Sequence, residues 1–264
     1  MIYAAILDTS RAQGDIPLRP RLSSAVVCRV EEVKNKAIKR QRSAAYSLLS
    51  ALYEAVYRDT LPEVIFSELG KPRFCYGGIS FSISHRDAAV IAVINDSGEV
   101  GCDIEELRNV GRVVKLRERF LCGLDEEFFP SPQTPVTLVP FYLDESGQVL
   151  PYCMEAVCDG VSDDTFCRPI HTCVVRGCEE TVTLTPERVG ENTPQQVMKI
   201  SADFSGEGVK ALRPWCVAES LLKLSGGGFS DYNSLQSIQK DAEILTFKLD
   251  SEGGTHVIAV SVFK

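Results

Sequence analysis

The sequence lacks several features that would place it in a familiar class. It has no apolar run of membrane-spanning length, so no transmembrane helix is predicted. No basic leader precedes its first apolar residues, so we expect no export signal. Its formal net charge is −8, whereas a general nucleic-acid binder would be basic. We therefore expect a cytoplasmic protein that binds neither membrane nor nucleic acid.

Short metal-binding cysteine pairs are also missing, although cysteine itself is plentiful. The chain has 10 cysteines, and without an export signal these favour a reducing compartment and free thiols. Half of them lie in one segment around His171, namely Cys153, Cys158, Cys167, Cys173 and Cys178. Their spacing lacks the C-x₂-C pairs of structural zinc sites. We therefore expect buried or free thiols there and no zinc.

Charge is spread unevenly along the chain. Residues 11–42 contain nine Lys/Arg and three Asp/Glu, whereas residues 125–194 contain thirteen acidic and three basic residues. A basic N-terminal segment in an acidic protein indicates a local anion site or an acidic partner.

Hydrophobic patterning predicts an α/β (α+β) fold. MIYAAIL predicts a buried strand and AIKRQRSAAYSLLSALYEAVYRD a helix. Strands are then predicted at ISFSISH, AAVIAVIND and VGCDIE, followed by a helix at VVKLRERFL. Pro214 suits the first turn of another helix, which Gly226 to Gly228 would end. AEILTFKLD and HVIAVSVF complete the chain as a hairpin.

A short repeat indicates how these elements are arranged. The tetrapeptide VIAV occurs at 90–93 and again at 257–260, each time late in a helix-then-hairpin series. We expect two similar α/β halves related by pseudo-twofold symmetry, over residues 1–110 and 111–264. The second half is interrupted by a β-rich insertion at about 128–210. Within it, TLVPFYLDESGQVLPYCMEAV and HTCVVRGCEETVTLT each predict a hairpin.

Two pairs of charged residues carry the strongest functional signal. Asp103 and Glu105 stand two apart on a predicted strand, so both should point to one face. Glu219 and Lys223 stand four apart on a predicted helix, about one turn. Three carboxylates beside a lysine would form a hard-cation site next to an anion site. Taken singly, Asp103 and Glu105 are better explained as polar residues at an exposed strand end, and Glu219 and Lys223 as an ordinary surface pair on a helix.

Four motifs occur in a characteristic order. They are Gly70-Lys71-Pro72, FSISH ending at Ser84-His85, Gly101-Cys102-Asp103-Ile104-Glu105, and Trp215-x-x-x-Glu219-Ser220-x-x-Lys223. This order resembles that of the 4′-phosphopantetheinyl transferases, of the larger type that folds as a pseudo-dimer in one chain. The resemblance covers roughly residues 1–125 and 211–264 and leaves out the insertion.

The resemblance implies an activity and its partners. Such enzymes move the phosphopantetheine arm of coenzyme A to a serine of an acyl or peptidyl carrier protein and release adenosine 3′,5′-bisphosphate. They use Mg²⁺, which offsets charge on the pyrophosphate. An internally duplicated fold needs no second chain to build its cleft, so we expect a monomer.

The resemblance also implies residue roles. The Mg²⁺ ligands would be Asp103, Glu105 and Glu219. Coenzyme A would contact Lys71 and Pro72 at its adenine, Arg42 at its 3′-phosphate, and Ser84, His85 and Lys223 at its other phosphates, with Arg29 and Lys34 as possible helpers. The base for the carrier serine would be Asp125 or Glu126, which follow Arg119-Phe120, or Glu219 through a water.

Two departures from the family pattern stand out. Ala218 occupies the place of a lysine that usually precedes the helical glutamate. The insertion is long and acidic, and we expect it to pack away from the cleft while carriers meet the basic N-terminal face. Two other functions remain open. One is a non-catalytic coenzyme A-binding or carrier-binding module, and the other is a different metal-dependent transferase acting on coenzyme A or a nucleotide.

Overall fold

A computed structural model of the chain describes residues 1–12, 14–120, 135–144, 146–151, 173–175, 182–184, 198–227 and 234–264. At 117–120, 140, 173–175 and 182–184 the description covers the backbone alone. These ranges contain five α-helices and thirteen strands, a mixed α/β fold as expected. Among the described helices, none is both long and apolar enough to cross a membrane.

The described N-terminal part of the chain contains six strands and three α-helices. Its elements are β1 (Ile2–Asp8), α1 (Ser24–Glu31), α2 (Lys36–Tyr57), β2 (Val64–Phe66), β3 (Pro72–Phe74), β4 (Ser80–Arg86), β5 (Ala89–Asn95), β6 (Val100–Glu106) and α3 (Val110–Phe120). The predicted strands and helices of this part are confirmed. Asn35 begins α2 by accepting hydrogen bonds from the backbone N–H groups of Ala37 and Ile38.

The C-terminal part consists of short strands, two helices and a long hairpin. Its elements are β7 (Val136–Leu143), β8 (Val149–Pro151), β9 (Cys173–Val175), β10 (Val182–Leu184), β11 (Met198–Ser201), α4 (Glu207–Ser225), α5 (Leu235–Asp241), β12 (Ala242–Ser251) and β13 (Gly254–Phe263). The predicted final hairpin is confirmed, because β12 and β13 pair antiparallel along their whole length.

Two sheets organise the described chain. The first has the order β4-β5-β1-β7-β8, with β9 also paired to β7. The second has the order β10-β11-β12-β13-β6. Thus β6, which follows the first sheet's hairpin in sequence, pairs with β13 in the other sheet. The edge strands β4 and β6 come from neighbouring segments of the chain but belong to different sheets.

Three hydrophobic clusters show how the layers stack. One lies between α2 and the first sheet, where Leu48 and Leu52 pack with Val90 and Ala92. A second includes residues from both sheets, among them Ile91, Val93, Ile258 and Val260. The third lies between α4 and the second sheet. Alternate residues of each central strand therefore face a helix or the opposite sheet, and the layer order is helix, sheet, sheet, helix.

The two VIAV segments occupy corresponding places in these layers. Residues 90–93 lie in β5 and residues 257–260 in β13, and each of these strands is flanked by strands on both sides. In each segment the first and third residues face a helix, which is α2 for β5 and α4 for β13. The second and fourth residues face the cluster between the two sheets.

Helix α4 begins earlier than the sequence suggests. The expectation that Pro214 lies in its first turn is wrong, because the helix starts at Glu207 and Pro214 is inside it. Proline has no backbone N–H, so it removes one helical hydrogen bond there. Gly226 ends the helix as predicted, with a φ of 76° that favours glycine.

The described strands of the insertion join both sheets. Strands β7 and β8 form the predicted first hairpin around residues 144–148. The second predicted hairpin is wrong, because β9 pairs with β7 in the first sheet and β10 pairs with β11 in the second. Three-residue strands have too little pattern of their own to specify a partner. In each sheet these strands lie on the side away from β4 and β6.

Candidate functional site

The candidate site lies where β4 meets β6. Ser82, Ser84 and Arg86 share one face of β4, since strand side chains alternate. Ser82 Oγ accepts a hydrogen bond of 3.0 Å from the backbone N–H of Cys102 on β6. This contact joins the edges of the two sheets beside the first acidic pair.

Ser84, Asp103 and Lys223 form a closed hydrogen-bonded group. Ser84 Oγ donates to Asp103 Oδ1 over 2.8 Å. Lys223 Nζ donates to the same Asp103 Oδ1 over 2.8 Å and to Ser84 Oγ over 2.9 Å. The three side chains come from β4, β6 and α4, so the predicted motifs meet in space although 139 positions separate Ser84 from Lys223.

Close packing of α4 on β6 makes this meeting possible. Gly101, Asp103 and Glu105 face the helix, and a Cβ on Gly101 would lie 1.9 Å from the carbonyl oxygen of Ser220. Only glycine therefore fits at this crossing. The helix is brought close enough for Lys223 to reach the strand carboxylate.

Glu105 lies on the same face as Asp103, as predicted. Its Oε2 is 2.9 Å from Arg86 Nε. Burial raises the pKa of the Glu105 carboxyl to about 7, and the negative charges of Asp103 and Glu219 add to that rise. Glu219 is half-buried on α4 and close enough for its charge to influence the pKa of Glu105 and of Lys223.

The charge state of Lys223 follows from its neighbours. Burial alone lowers the pKa of its ammonium group, but the charges of Asp103 and Glu219 and the hydrogen bond to Asp103 outweigh burial and leave the pKa raised. Lys223 is therefore cationic at neutral pH. About 32% of its side-chain surface remains accessible, compared with 8% for Asp103, so Lys223 can also reach a ligand.

A cavity of about 600 Å³ opens beside this group. Its basic and polar lining comes from Arg29, Arg42, Lys71, Ser84, His85 and Lys223. Its apolar lining includes Phe66 and Pro72. A cavity with several cations and few acidic side chains suits a ligand with several negative groups.

His85 points to the opposite face of β4 from Ser84, toward α2. Its Nδ1 lies 3.0 Å from Gln41 Oε1, and Gln41 Nε2 donates to the carbonyl oxygen of Asp87 over 3.0 Å. Because the amide oxygen can only accept, His85 carries its proton on Nδ1 and leaves Nε2 as an acceptor. Burial, then Lys223, Arg42 and Arg86, lower the pKa of His85 to about 4.

The remaining residues predicted to contact coenzyme A are placed as follows. Arg42, Lys71 and Pro72 line the cavity, as does Arg29, whose guanidinium lies 4.7 Å from the ring centroid of Phe66. Lys71 Nζ also donates to Glu99 Oε2 over 2.7 Å and to the carbonyl oxygen of Leu224 over 3.2 Å. Lys34 is exposed between α1 and α2 and does not line the cavity.

The described residues fit a divalent cation through two carboxylates. Asp103 Oδ2 is buried with no hydrogen-bond partner in the described part of the chain, as is Glu105 Oε2. Within that same part, no group of three Asp, Glu, His or Cys side chains is arranged to hold a metal ion. Mg²⁺ commonly takes one or two carboxylates and completes its shell with water and substrate phosphate. The donor set suits that mode.

Several predicted residues lie elsewhere. Asp125 and Glu126 fall outside the described residues, as do the side chains of the insertion's five cysteines and His171. Trp215 packs in the cluster between α4 and the second sheet and is 5% exposed. Ala218, at the position where the resemblance leads us to expect a lysine, is fully buried in the same cluster. At that position the helix presents an apolar side chain to the core.

Two neighbours of the site were not predicted from the sequence. Gln41 orients His85, and Arg86 is the counter-ion of Glu105. The two-residue period of a strand places Arg86 on the same face as Ser84, so the sequence alone could have identified Arg86 as a neighbour of the site. Gln41 directly precedes Arg42, but nothing local showed which helix residue would meet His85.

Comparison with known proteins gives a short match. Over 49 residues, 18% of its length, the chain is 45% identical to the 4′-phosphopantetheinyl transferase AcpT of Salmonella typhimurium, of which this covers 26%. A match of the same length and identity to AcpT of Escherichia coli K12 covers 25% of that protein. No protein-family model matches. The chain thus matches about a quarter of these curated relatives' length. This supports a local relationship to phosphopantetheinyl transferases.

Proposed function

We propose that this protein transfers the 4′-phosphopantetheine arm of coenzyme A to a serine of an acyl or peptidyl carrier protein. One observation carries the proposal: Ser84, Asp103 and Lys223 converge beside a cavity lined by Arg29, Arg42, Lys71 and His85. The local match to AcpT proteins supports the same function.

The cavity's cations suit the phosphates of coenzyme A. Arg42 would pair with the 3′-phosphate, and Pro72 with the methylene stem of Lys71 would contact the adenine. Lys223 and Ser84 would donate to the pyrophosphate. His85 is neutral at pH 7, with Nε2 an acceptor, so it would hold a phosphate oxygen through a bridging water or after taking up a proton.

The reaction is a displacement at phosphorus. The carrier serine Oγ attacks the phosphorus that bears the pantetheine arm, and the bond from that phosphorus to the oxygen bridging to adenosine 3′,5′-bisphosphate breaks. The serine proton passes to a carboxylate, either Glu219 through water or Asp125 or Glu126. Lys223 stays positively charged and stabilises the charge that develops on the leaving phosphate.

Asp103 and Glu105 would hold Mg²⁺, with Glu219 as a third carboxylate directly or through water. Bound there, Mg²⁺ would supply positive charge to the pyrophosphate. The buried oxygens of the two strand carboxylates support this assignment, because they lack hydrogen-bond partners among the described residues.

We further propose a pseudo-dimeric architecture in one chain. Halves at 1–110 and 111–264 would be related by pseudo-twofold symmetry, and the matched placement of the two VIAV segments supports this. Such a chain builds its cleft alone and would act as a monomer in the cytoplasm. Because the described insertion strands lie away from β4 and β6, carriers would approach from the basic N-terminal side.

Incubation with coenzyme A, Mg²⁺ and an apo carrier protein tests the proposal. Mass spectrometry should detect carriers increased by the mass of the phosphopantetheine arm. Lys223→Ala should lose this transfer, and Lys34→Ala should keep it, because Lys34 lies outside the cavity. Coenzyme A binding is measured separately by calorimetry.

A non-catalytic binding module is the second candidate. It is favoured by the absence, within the described ranges, of three side chains arranged to hold a metal. If coenzyme A binds while carriers from fatty acid, polyketide and peptide synthesis all stay unmodified, the module is correct. If coenzyme A does not bind, both the transferase and a coenzyme A-binding module are ruled out.

A further inference from the structure

Arg86 contacts Glu105 across the junction of the two sheets, and the proposed transfer gives it no role. Its Nε lies 2.9 Å from Glu105 Oε2. Neither atom has a hydrogen bond to any described residue, so the N–H is not aimed at the oxygen. The contact is therefore an ion pair without hydrogen-bond geometry. Unaligned pairs of this kind are weaker than aligned, charge-assisted hydrogen bonds.

A second carboxylate lies within reach of the same guanidinium. Asp87 Oδ2 is 3.8 Å from Arg86 Nε. Asp87 is fixed in the β4–β5 turn by Asn109 Nδ2, which donates to Oδ2 over 3.0 Å, and by Arg108, 3.2 Å from Oδ1. Arg86 could thus leave Glu105 without becoming an unpaired charge, which would otherwise oppose the movement.

Asp103 has an equivalent basic partner. Lys223 is bonded to Asp103, and the phosphates of a ligand would give it an alternative partner. Each of the two strand carboxylates is therefore neutralised by one basic side chain from another element. Both basic side chains occupy positions from which they compete with a bound cation.

We propose that Arg86 is a positioning residue that occupies Glu105 in the ligand-free protein and moves to Asp87 when a divalent cation binds Glu105. The inference rests on the cation site of the proposed function. It means that Arg86 weakens cation binding and keeps Glu105 in place until the cation arrives.

Direct measurement of Mn²⁺ binding, by the EPR signal of free Mn²⁺, tests this without any activity assay. Arg86→Gln removes the competing charge, so Mn²⁺ should bind about five-fold more tightly than to wild type. Arg19→Gln is the control, because it removes the same charge from an ion pair with Glu54 that lines a different pocket. It should change Mn²⁺ affinity less than about two-fold. Melting temperatures of both variants check folding.

A double-mutant cycle isolates the movement to Asp87. Asp87→Asn removes the second partner, so Arg86 should stay on Glu105 and Mn²⁺ should bind about three-fold more weakly. In the Arg86→Gln background the same substitution should have no effect. A loss of equal size in both backgrounds would mean that Asp87 acts as a distant charge, and the movement would be rejected.

The remaining outcomes distinguish a failure of the role proposed for Arg86 from a failure of the cation site itself. Wild-type Mn²⁺ binding that Arg86→Gln leaves unchanged, or weakens, overturns the role of Arg86 alone. Absence of Mn²⁺ binding by the wild type and every variant overturns both the cation site and the inference.

Discussion

Glu105 and Glu106 are neighbours on β6 with similar titration behaviour but opposite surroundings. Burial is the first cause of a pKa of about 7 for each carboxyl. Glu105 faces α4, and its counter-ion Arg86 comes from the other sheet. Glu106 faces the space between the sheets, and its counter-ion Arg108 stands two positions along the chain, with Nε 2.7 Å from Oε2.

The two carboxylates differ in what lies beside them and not in hydrogen bonding at Oε2, because Glu105 Oε2 and Glu106 Oε2 are both buried with no hydrogen-bond partner among the described residues. Beside Glu105 lies Asp103 with a buried, unpartnered oxygen, and a cavity opens next to both. Beside Glu106 lies Asp87, whose hydrogen bond with Glu106 raises the Glu106 pKa further, and the fully buried His256 is its partner across the ladder. Burial and a raised pKa alone therefore do not identify a functional carboxylate.

The largest expected effect comes from replacing each glutamate by its neutral isostere. Glu105→Gln should reduce carrier modification about 100-fold or more, because it removes a charge that acts on the transferring pyrophosphate. Glu106→Gln should keep the rate within a few-fold, because its amide can donate to Asp87 as the protonated carboxyl does. Transfer rates measured by mass spectrometry compare the two. Equal losses in both variants would abolish the distinction between the two faces.

The next largest effect is expected on stability, from a substitution that disturbs the packing of α4 on the cleft face of β6. Gly101→Ala places a Cβ 1.9 Å from the carbonyl oxygen of Ser220, so the helix must move. Overpacking of this kind costs about 3 kcal/mol, and the melting temperature should fall by roughly 5 to 10 °C. Thermal unfolding by circular dichroism measures the change.

Gly111→Ala provides the control for that substitution. Gly111 lies in α3, and a Cβ there has nothing within 4 Å. It should leave stability unchanged or raise it by up to about 1 kcal/mol, since alanine is a better helix former. An unchanged melting temperature for Gly101→Ala would mean that the helix does not approach the strand so closely.

Local patterns predicted the elements of the cleft better than its assembly. Strand alternation placed Asp103 and Glu105 on one face, and helical spacing did the same for Glu219 and Lys223. The order of motifs then indicated that these pairs meet. Their meeting depends on the pairing of β6 with β13 in the second sheet, which is long-range, and no local pattern specifies such a partner.

Apart from the start of α4, the wrong or missing predictions also concern features that local sequence patterns do not specify. The early start of α4 was missed because proline is favoured at the first position of a helix. The apolar residues on either side of Pro214 nevertheless share one helical face, namely Val209, Leu212 and Cys216. The partners of β9 and β10 depend on which sheet edge each short strand reaches. Arg86 was overlooked because its partners, Glu105 and Asp87, are brought to it by tertiary structure.

The smallest expected effect compares a cleft histidine with a buried one. The folded pKa of His85 is about 4, below the ordinary value of 6.5, because of burial and then the charges of Lys223, Arg42 and Arg86. Burial also lowers the pKa of His256. Between pH 6.5 and about 4 the unfolded chain therefore binds more protons at His85 than the folded one, and His256 contributes in the same direction below pH 6.5. Stability should fall as the pH falls through that window.

Inorganic pyrophosphate should distinguish the two rings. Bound in the cavity, it offsets the cations around His85 and should raise the pKa of that ring by about one unit, whereas His256 should not change. The chain has three histidines, so an NMR titration resolves few ring signals, and His85→Gln identifies one of them. The ligand should also lessen the loss of stability on acidification by on the order of 1 kcal/mol, since one pKa unit is worth about 1.4 kcal/mol. Equal shifts at both histidines would show that the anion acts on the whole protein and not on the cleft.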